Sequence, residues 1–216
     1  MKSLWTATAL AGLVTLAAAP ADATVLMMVG GTTITDNGAG DADPALGQIV
    51  NIATAPGFTA TINVGTTTSL PSMDLQSTDI TSTAAASLVV MLTETGLTNS
   101  AGVANWLTQF TGNWNGGSAS VRLQTYIDTG NNPFGTATTL ADLTGTSTPF
   151  AFSSSISAGS SAPFSITEVL TITAGAALEH FSLDGSMADA PEPASIALMG
   201  VALAGLGWVR RRKSKV

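Results

Sequence analysis

The composition of residues 24–190 restricts this stretch to a fold made of strands and turns. Serine and threonine account for 47 of its 167 residues, lysine is absent, and Arg122 is the only basic residue. Threonine is common in strands, whereas the lysine, arginine and glutamate residues that favour helices are scarce here. We therefore predict an all-β structure for this part of the chain.

Alternation of apolar and polar residues supports this prediction. Val121, Leu123 and Ile127 share one face of a strand over residues 121–128, and the residues between them are mostly polar. In residues 166–173 the same alternation places Glu168 on the apolar face. Further strands are predicted at residues 25–29, 48–53, 58–64, 87–93, 104–110, 149–156 and 180–184.

Sequences typical of turns separate these strands. They are Asp36-Asn37-Gly38, Pro56-Gly57, Thr111-Gly112-Asn113, Asn115-Gly116-Gly117 and Thr129-Gly130-Asn131-Asn132-Pro133. About eight to ten short strands predict a single antiparallel β-sandwich of the immunoglobulin or jelly-roll type over residues 24–188. A closed barrel and a β-solenoid are the alternatives, and the lack of a repeat of fixed period argues against the solenoid.

The first 23 residues have the organisation of a secretory signal peptide. Lys2 gives a positive start, residues 4–19 are apolar, and small residues follow. Ala21 and Ala23 occupy the positions that a signal peptidase recognises, which predicts a signal helix cleaved after Ala23. Cleavage after Ala21 and an uncleaved N-terminal anchor are the alternatives.

The C-terminal residues form a three-part segment. Pro191-Glu192-Pro193 lies in a linker over residues 189–193, an uncharged apolar stretch follows at residues 194–209, and residues 210–216 are basic. As a helix the apolar stretch would be about 24 Å long, slightly short for a hydrocarbon core of about 30 Å. We predict one transmembrane helix over residues 194–209, with a permanent anchor or a buried helix as alternatives. The cytoplasmic stop-transfer residues would be Arg210, Arg211, Arg212 and Lys213.

This order of motif, apolar span and basic end resembles the PEP-CTERM sorting signal of exopolysaccharide-producing Gram-negative bacteria. The same signature is also known as the ice-binding protein C-terminal domain, a label that implies nothing about ice. The resemblance covers about 26 of 216 residues. It implies that an exosortase, a membrane protease, cleaves near Pro191-Glu192-Pro193 and delivers the protein to the cell surface or the medium.

The charge of residues 24–190 excludes several classes of function. Twelve acidic residues against Arg122 give a net charge of about −11, whereas the whole chain carries −7. Such a domain cannot neutralise a phosphate backbone, so nucleic acids and anionic lipids are not expected partners. The chain has no cysteine, which excludes disulfides and thiolate metal sites.

The sequence offers little for catalysis. His180 is the only histidine, and Gly116-Gly117-Ser118-Ala119-Ser120 lacks the final glycine of a nucleophile elbow. We expect His180 to be an ordinary surface residue and no zinc site to form. Glycoside hydrolysis needs two carboxyl groups flanking a cleft. Glu94, Glu168 and Glu179 are the only glutamates available, and their spacing does not tell whether any two converge.

Two kinds of ligand site are compatible with the sequence. Asp36, Asp41 and Asp43 lie in a glycine-rich segment, an arrangement of oxygen ligands that suits Ca²⁺. A polar surface loop without a metal is the simpler interpretation. Trp106 is expected in the core, whereas Trp114, between two asparagines, is the better candidate for an exposed sugar contact.

The serine- and threonine-rich segments allow three interpretations. Irregular spacing in segments such as Thr66-Thr67-Thr68 argues against ice binding. The segment over residues 153–161 would suit O-glycosylation. Threonine on the solvent face of a sheet is the simplest explanation of most of these residues.

These observations predict an exported, non-catalytic protein of the cell surface or the extracellular polysaccharide matrix. The expected partners are signal peptidase, an exosortase and extracellular polysaccharide. The alternative is a carbohydrate- or calcium-binding module, and a glycan-active hydrolase is the third class.

Overall fold

The computed structural model describes residues 23–67, 71–98, 102–190 and 203, and nearly all of them belong to strands or to the turns between strands. The strands are β1 (Thr24–Val29), β2 (Thr32–Thr35), β3 (Gln48–Ala55), β4 (Phe58–Thr67), β5 (Ser72–Ser82), β6 (Ala86–Leu97), β7 (Gly102–Asn115), β8 (Ser120–Asp128), β9 (Thr138–Gly145), β10 (Phe150–Ser160), β11 (Phe164–Ala174) and β12 (His180–Asp189). The all-β prediction for this part of the chain is confirmed.

The strands form two six-stranded sheets that pack face to face. Sheet A has the order β2-β1-β6-β11-β8-β9, and sheet B has the order β10-β7-β12-β5-β4-β3. Every strand pair is antiparallel. The predicted antiparallel sandwich is therefore present.

The core lies between the two sheets because each strand turns its apolar residues inward. Successive side chains of a strand point to opposite faces, so one residue in two reaches the interior. The largest fully buried side chains include five aromatic residues. They are Trp106, Phe58, Phe110, Phe164 and Phe181.

All nine predicted strands are observed, but β2, β5 and β9 were not predicted. In β5 the inward residues Met73 and Leu75 have odd numbers, whereas the inward residue Ile80 has an even number. The pairing of β5 with β12 and with β4 shifts register between these positions, as a β-bulge does. This bulge interrupts the alternation that a sequence pattern depends on.

The predicted turn at Thr111-Gly112-Asn113 is wrong, because these residues lie inside β7. Gly112 faces the interior, where an added Cβ would lie 2.6 Å from Leu183 Cδ2 and 3.0 Å from Phe150 Cζ. The glycine is therefore required by close packing within the sheet, not by a change of chain direction.

The predicted signal helix, the Pro191-Glu192-Pro193 motif and the basic end lie outside the described residues, as does the apolar stretch except for Leu203. Within the part of the chain that the structure describes, no helix has the length and apolar character needed to span a membrane. β12 continues to Asp189, one residue past the predicted end of the sandwich.

Candidate functional site

The outer face of sheet B carries a shallow cleft of about 570 Å³. Alternation in β5, β7 and β12 directs polar side chains to this face while their neighbours enter the core. The lining residues are Gln76, Thr111, Gly112, Asn113, Ser182, Leu183 and Asp184. The cleft thus presents mainly amide, hydroxyl and carboxylate groups to solvent.

A second cleft of about 260 Å³ adjoins the first across β4 and the start of β3. Its lining residues are Gln48, Asn63, Val64, Gly65, Asp74 and Gln76. Gln76 lines both clefts, so they lie side by side on the outer face of sheet B, and together we call them the sheet B groove. The groove crosses five neighbouring strands, from β7 to β3. At about 4.8 Å per strand it is about 19 Å long.

Two acidic residues give the sheet B groove its electrostatic character. Asp74 and Asp184 are diagonal neighbours, since Asp74 pairs with Ser186 and Asp184 pairs with Gln76. Desolvation raises the pKa of Asp74, and the negative charge of Asp184 adds to this effect. Gln76 Nε2 donates to Asp74 Oδ2 at 3.4 Å, whereas Asp74 Oδ1 is buried and accepts from no described residue. The two carboxylates therefore add acceptors to a lining whose other polar groups, amides and hydroxyls, can both donate and accept.

Neither Trp106 nor Trp114 lines the groove. Trp106 is buried in the core, as predicted, and packs edge-on against Phe164. The prediction that Trp114 is exposed is wrong, because its side chain is 6% exposed and packs against Phe150 and Phe181. The neighbouring asparagines occupy the opposite face of β7, so the polar surroundings in sequence did not reflect the position of the indole.

The three glutamates do not form a catalytic pair in an open cleft. Glu94 and Glu168 lie on the inner face of sheet A, fully buried, and no described residue donates a hydrogen bond to either carboxyl group. Burial raises the pKa of Glu94 to about 7. Burial, with the charges of Asp74 and Asp184, raises the pKa of Glu168 well above its usual range. The predicted position of Glu168 on the apolar face is confirmed.

Glu179, the third glutamate, is buried beneath the turn that follows β7. Its Oε2 accepts a hydrogen bond from Gly175 N at 2.9 Å. A Cβ added at Gly116 would lie 2.7 Å from Glu179 Cγ, so this turn requires glycine. The Glu179 side chain therefore closes the turn between β11 and β12 and lies against the turn at Gly116.

His180 lies on the exposed face of β12. Its Nδ1 is 2.9 Å from Thr81 Oγ1, and its backbone N donates to Asn115 Oδ1 at 2.8 Å. The histidine thus has structural hydrogen-bond partners on both neighbouring strands.

The carboxylates proposed for calcium accept hydrogen bonds from backbone N–H groups of their own loop and of β3. Asp41 Oδ1 accepts from Asp43 N at 2.9 Å and from Val50 N at 3.0 Å. Asp36 Oδ2 accepts from Gly47 N at 2.8 Å, and Asp43 Oδ1 accepts from Ala45 N at 2.8 Å. Desolvation alone would raise the pKa of Asp41, but the hydrogen bonds from backbone N–H groups outweigh it and lower this pKa. In the described ranges no three acidic or histidine side chains are placed to share a metal ion.

Arg122, the single base of the domain, lies on the other sheet from the sheet B groove. It is exposed on β8 of sheet A, where its Nε donates to Asp142 Oδ1 at 2.7 Å. This bond lowers the pKa of Asp142. The groove is thus not neutralised by any basic residue of the domain.

Comparison with known families identifies the C-terminal segment. Residues 189–213 match the model of the PEP-CTERM protein-sorting motif. This match confirms the predicted family of the sorting signal and supports export with exosortase processing. A comparison with curated proteins gave no match.

Several solved structures show distant similarity. One is TmCBM61 in complex with β-1,4-galactotriose, with 12% identity, a TM-score of 0.34, and coverage of 70% of this chain and 92% of that chain. A second contains the CBM22-1 and GH10 modules of Clostridium thermocellum xylanase 10B with xylohexaose, with 13% identity, a TM-score of 0.30, and coverage of 63% and 27%. A third is the enzymatically active domain of bacteriophage CBA120 tailspike protein 4, with 9% identity, a TM-score of 0.30, and coverage of 63% and 18%. These values are too low to indicate a ligand or an activity.

Proposed function

We propose that this chain, which carries a PEP-CTERM protein-sorting motif at residues 189–213, is an exported, non-catalytic protein of the cell surface or extracellular matrix. Signal peptidase would remove residues 1–23, and an exosortase would cleave near Pro191-Glu192-Pro193. The part that remains is the two-sheet sandwich.

The position of the strands relative to the two cleavage sites carries this proposal. β1 begins at Thr24, directly after the expected signal cleavage at Ala23. β12 ends at Asp189. Two backbone hydrogen bonds hold this end of the strand: Asp189 N donates to Pro71 O, and Ala190 N donates to Asn105 O. Cleavage at both sites would therefore leave all twelve strands in place.

The surroundings of the three glutamates and of His180 support a non-catalytic role. Glu94, Glu168 and Glu179 are buried, so none of the three carboxyl groups reaches a substrate in solvent. His180 is engaged with Thr81. General acid–base catalysis requires groups within hydrogen-bond reach of the reacting atoms, which these positions do not offer.

Variants of the sorting motif test the proposal in the native host. Replacing Pro191, Glu192 and Pro193 with alanine should leave the protein in the inner membrane with its tail attached. A matched control replaces Ser153, Ser154 and Ser155 of β10, which are exposed or half-buried, with alanine and should be sorted normally. Processing and surface delivery of the motif variant at the wild-type level would contradict the proposed sorting.

The sheet B groove supports a second function, the binding of extracellular polysaccharide. Its amide, hydroxyl and carboxylate groups match the hydroxyl groups of sugars, and its length of about 19 Å suits an oligosaccharide segment. Gln76→Ala should weaken retention on polysaccharide extracted from the producing cells, because Gln76 borders both halves of the groove. Gln124→Ala, the same change on sheet A, is the control, and equal retention of the two variants would contradict binding in the groove.

A further inference from the structure

The charges that line the sheet B groove are all negative. Among the residues that the structure describes, Asp74 and Asp184 are the only ionisable side chains that line the groove, and they belong to neighbouring central strands of sheet B. The remaining side chains that line it are amides, hydroxyls or apolar groups. Any ligand in the groove therefore meets two carboxylates near its middle and no cation.

No positive charge elsewhere in residues 24–190 is free to compensate for these two carboxylates. Arg122 is the only basic residue of residues 24–190. It lies on β8 of sheet A and forms an ion pair with Asp142. With a net charge of about −11, the domain as a whole also repels polyanions at long range.

The hydrogen-bonding groups favour a ligand that donates. Asp184 lies exposed beside Gln76, and Asp74 Oδ2 accepts from Gln76 Nε2 at 3.4 Å, so both carboxylates border the groove as acceptors. A sugar hydroxyl can donate to either carboxylate, whereas a sugar carboxylate or sulfate offers only acceptors to them. The acidic group of a sugar is therefore repelled by the two carboxylates and cannot donate a hydrogen bond to them.

From this arrangement we propose that the sheet B groove binds an uncharged, linear polysaccharide and rejects acidic ones, with Asp74 and Asp184 as the residues that discriminate. The inference rests on the proposed polysaccharide binding and adds the class of ligand. Like charges brought together without compensation suppress a wrong partner, and salt screens this effect when the charges are exposed.

Binding of soluble glycans to the purified full-length chain in mild detergent tests the inference. The probes are a panel of neutral polysaccharides (β-1,3-glucan, β-1,4-galactan, xylan and mannan) and one acidic polysaccharide, alginate, compared by affinity electrophoresis. We expect at least one neutral glycan to bind and alginate to bind about tenfold more weakly or less at low salt. The difference should shrink as the salt concentration rises.

Variants separate the local charges from the net charge. Replacing both Asp74 and Asp184 with asparagine should strengthen alginate binding about tenfold, and Asp184→Lys alone should shift the preference in the same direction. Asp43→Asn removes one charge outside the groove and should leave the ratio unchanged. Circular dichroism confirms that each variant is folded.

The outcomes distinguish this inference from the function it rests on. Equal binding of alginate and the neutral glycans, or no gain by either groove variant, would overturn the selectivity while leaving polysaccharide binding intact. Absence of binding to every glycan would overturn both.

Discussion

Replacing Glu94 with glutamine should change how the stability of the sandwich depends on pH. Glu94 is 0% exposed on the inner face of sheet A, paired on either side with Val25 of β1 and Ile166 of β11. Burial raises its pKa from 4.5 to about 7. At about 1.4 kcal/mol per pKa unit this difference corresponds to about 3 kcal/mol of stability.

The sign of the effect follows from which state holds the proton. Between pH 4.5 and about 7 the folded protein retains the proton of Glu94, whereas the unfolded chain has released it. Unfolding therefore releases a proton in this range, and the free energy of unfolding falls as the pH rises. The stabilisation is complete below pH 4.5 and is lost as the pH rises through about 7. Glu168, whose pKa is also raised by burial, acts in the same direction.

Urea unfolding of wild type and Glu94→Gln from pH 4 to pH 8 measures this effect. The difference in unfolding free energy between the two proteins should move by about 3 kcal/mol in favour of the variant over this range. Comparing the two ends of the range cancels the pH-independent cost of burying an amide. Glu94→Asp keeps a carboxyl group at the position and should retain a pH-dependent stability. Parallel curves for wild type and Glu94→Gln would refute the argument that Glu94 is buried as an acid.

Three further variants test the packing by urea unfolding. Trp114→Ala should cost about 3–5 kcal/mol, because the indole fills the core beside Phe150; a loss below about 1 kcal/mol would mean that it is exposed. Thr108→Val or Thr125→Val alone should lower the free energy of unfolding by about 1–3 kcal/mol, because each removes one partner of the buried 2.9 Å hydrogen bond between the two sheets. The double variant should recover part of this loss, and additive losses would contradict the pairing. Gly112→Ala should cost about 1–3 kcal/mol through overpacking, and a neutral result would place Gly112 in a turn.

The sandwich could be predicted because its strands follow simple rules of alternation. In β8, Val121, Leu123 and Ile127 are buried as the pattern required. β5 escaped prediction because its bulge changes the inward set from odd to even positions. Thr111-Gly112-Asn113 resembles a turn in the sequence. The structure instead requires glycine at position 112 because Leu183 and Phe150, which are distant in sequence, pack against it.

The candidate site was less accessible to sequence analysis than the fold. The sheet B groove is formed by residues of β7, β12, β5, β4 and β3, which meet only through the sheet order. Asp74 and Asp184 are separated by more than a hundred residues, so no local motif connects them. The one available signal was the absence of bases, which predicted an acidic surface without locating the groove. The position of Trp114 was likewise set by packing partners that the sequence does not identify.

The intact mass of the native protein, recovered from the cell envelope and from the culture medium, tests the account most directly. We expect a mass that corresponds to a chain from Thr24 to a residue near Pro193, with or without added sugar. That result would show that both ends are removed and that the twelve-stranded sandwich is what reaches the surface or medium. A mass that still includes residues 194–216 in every fraction would contradict exosortase processing and make the tail a permanent anchor.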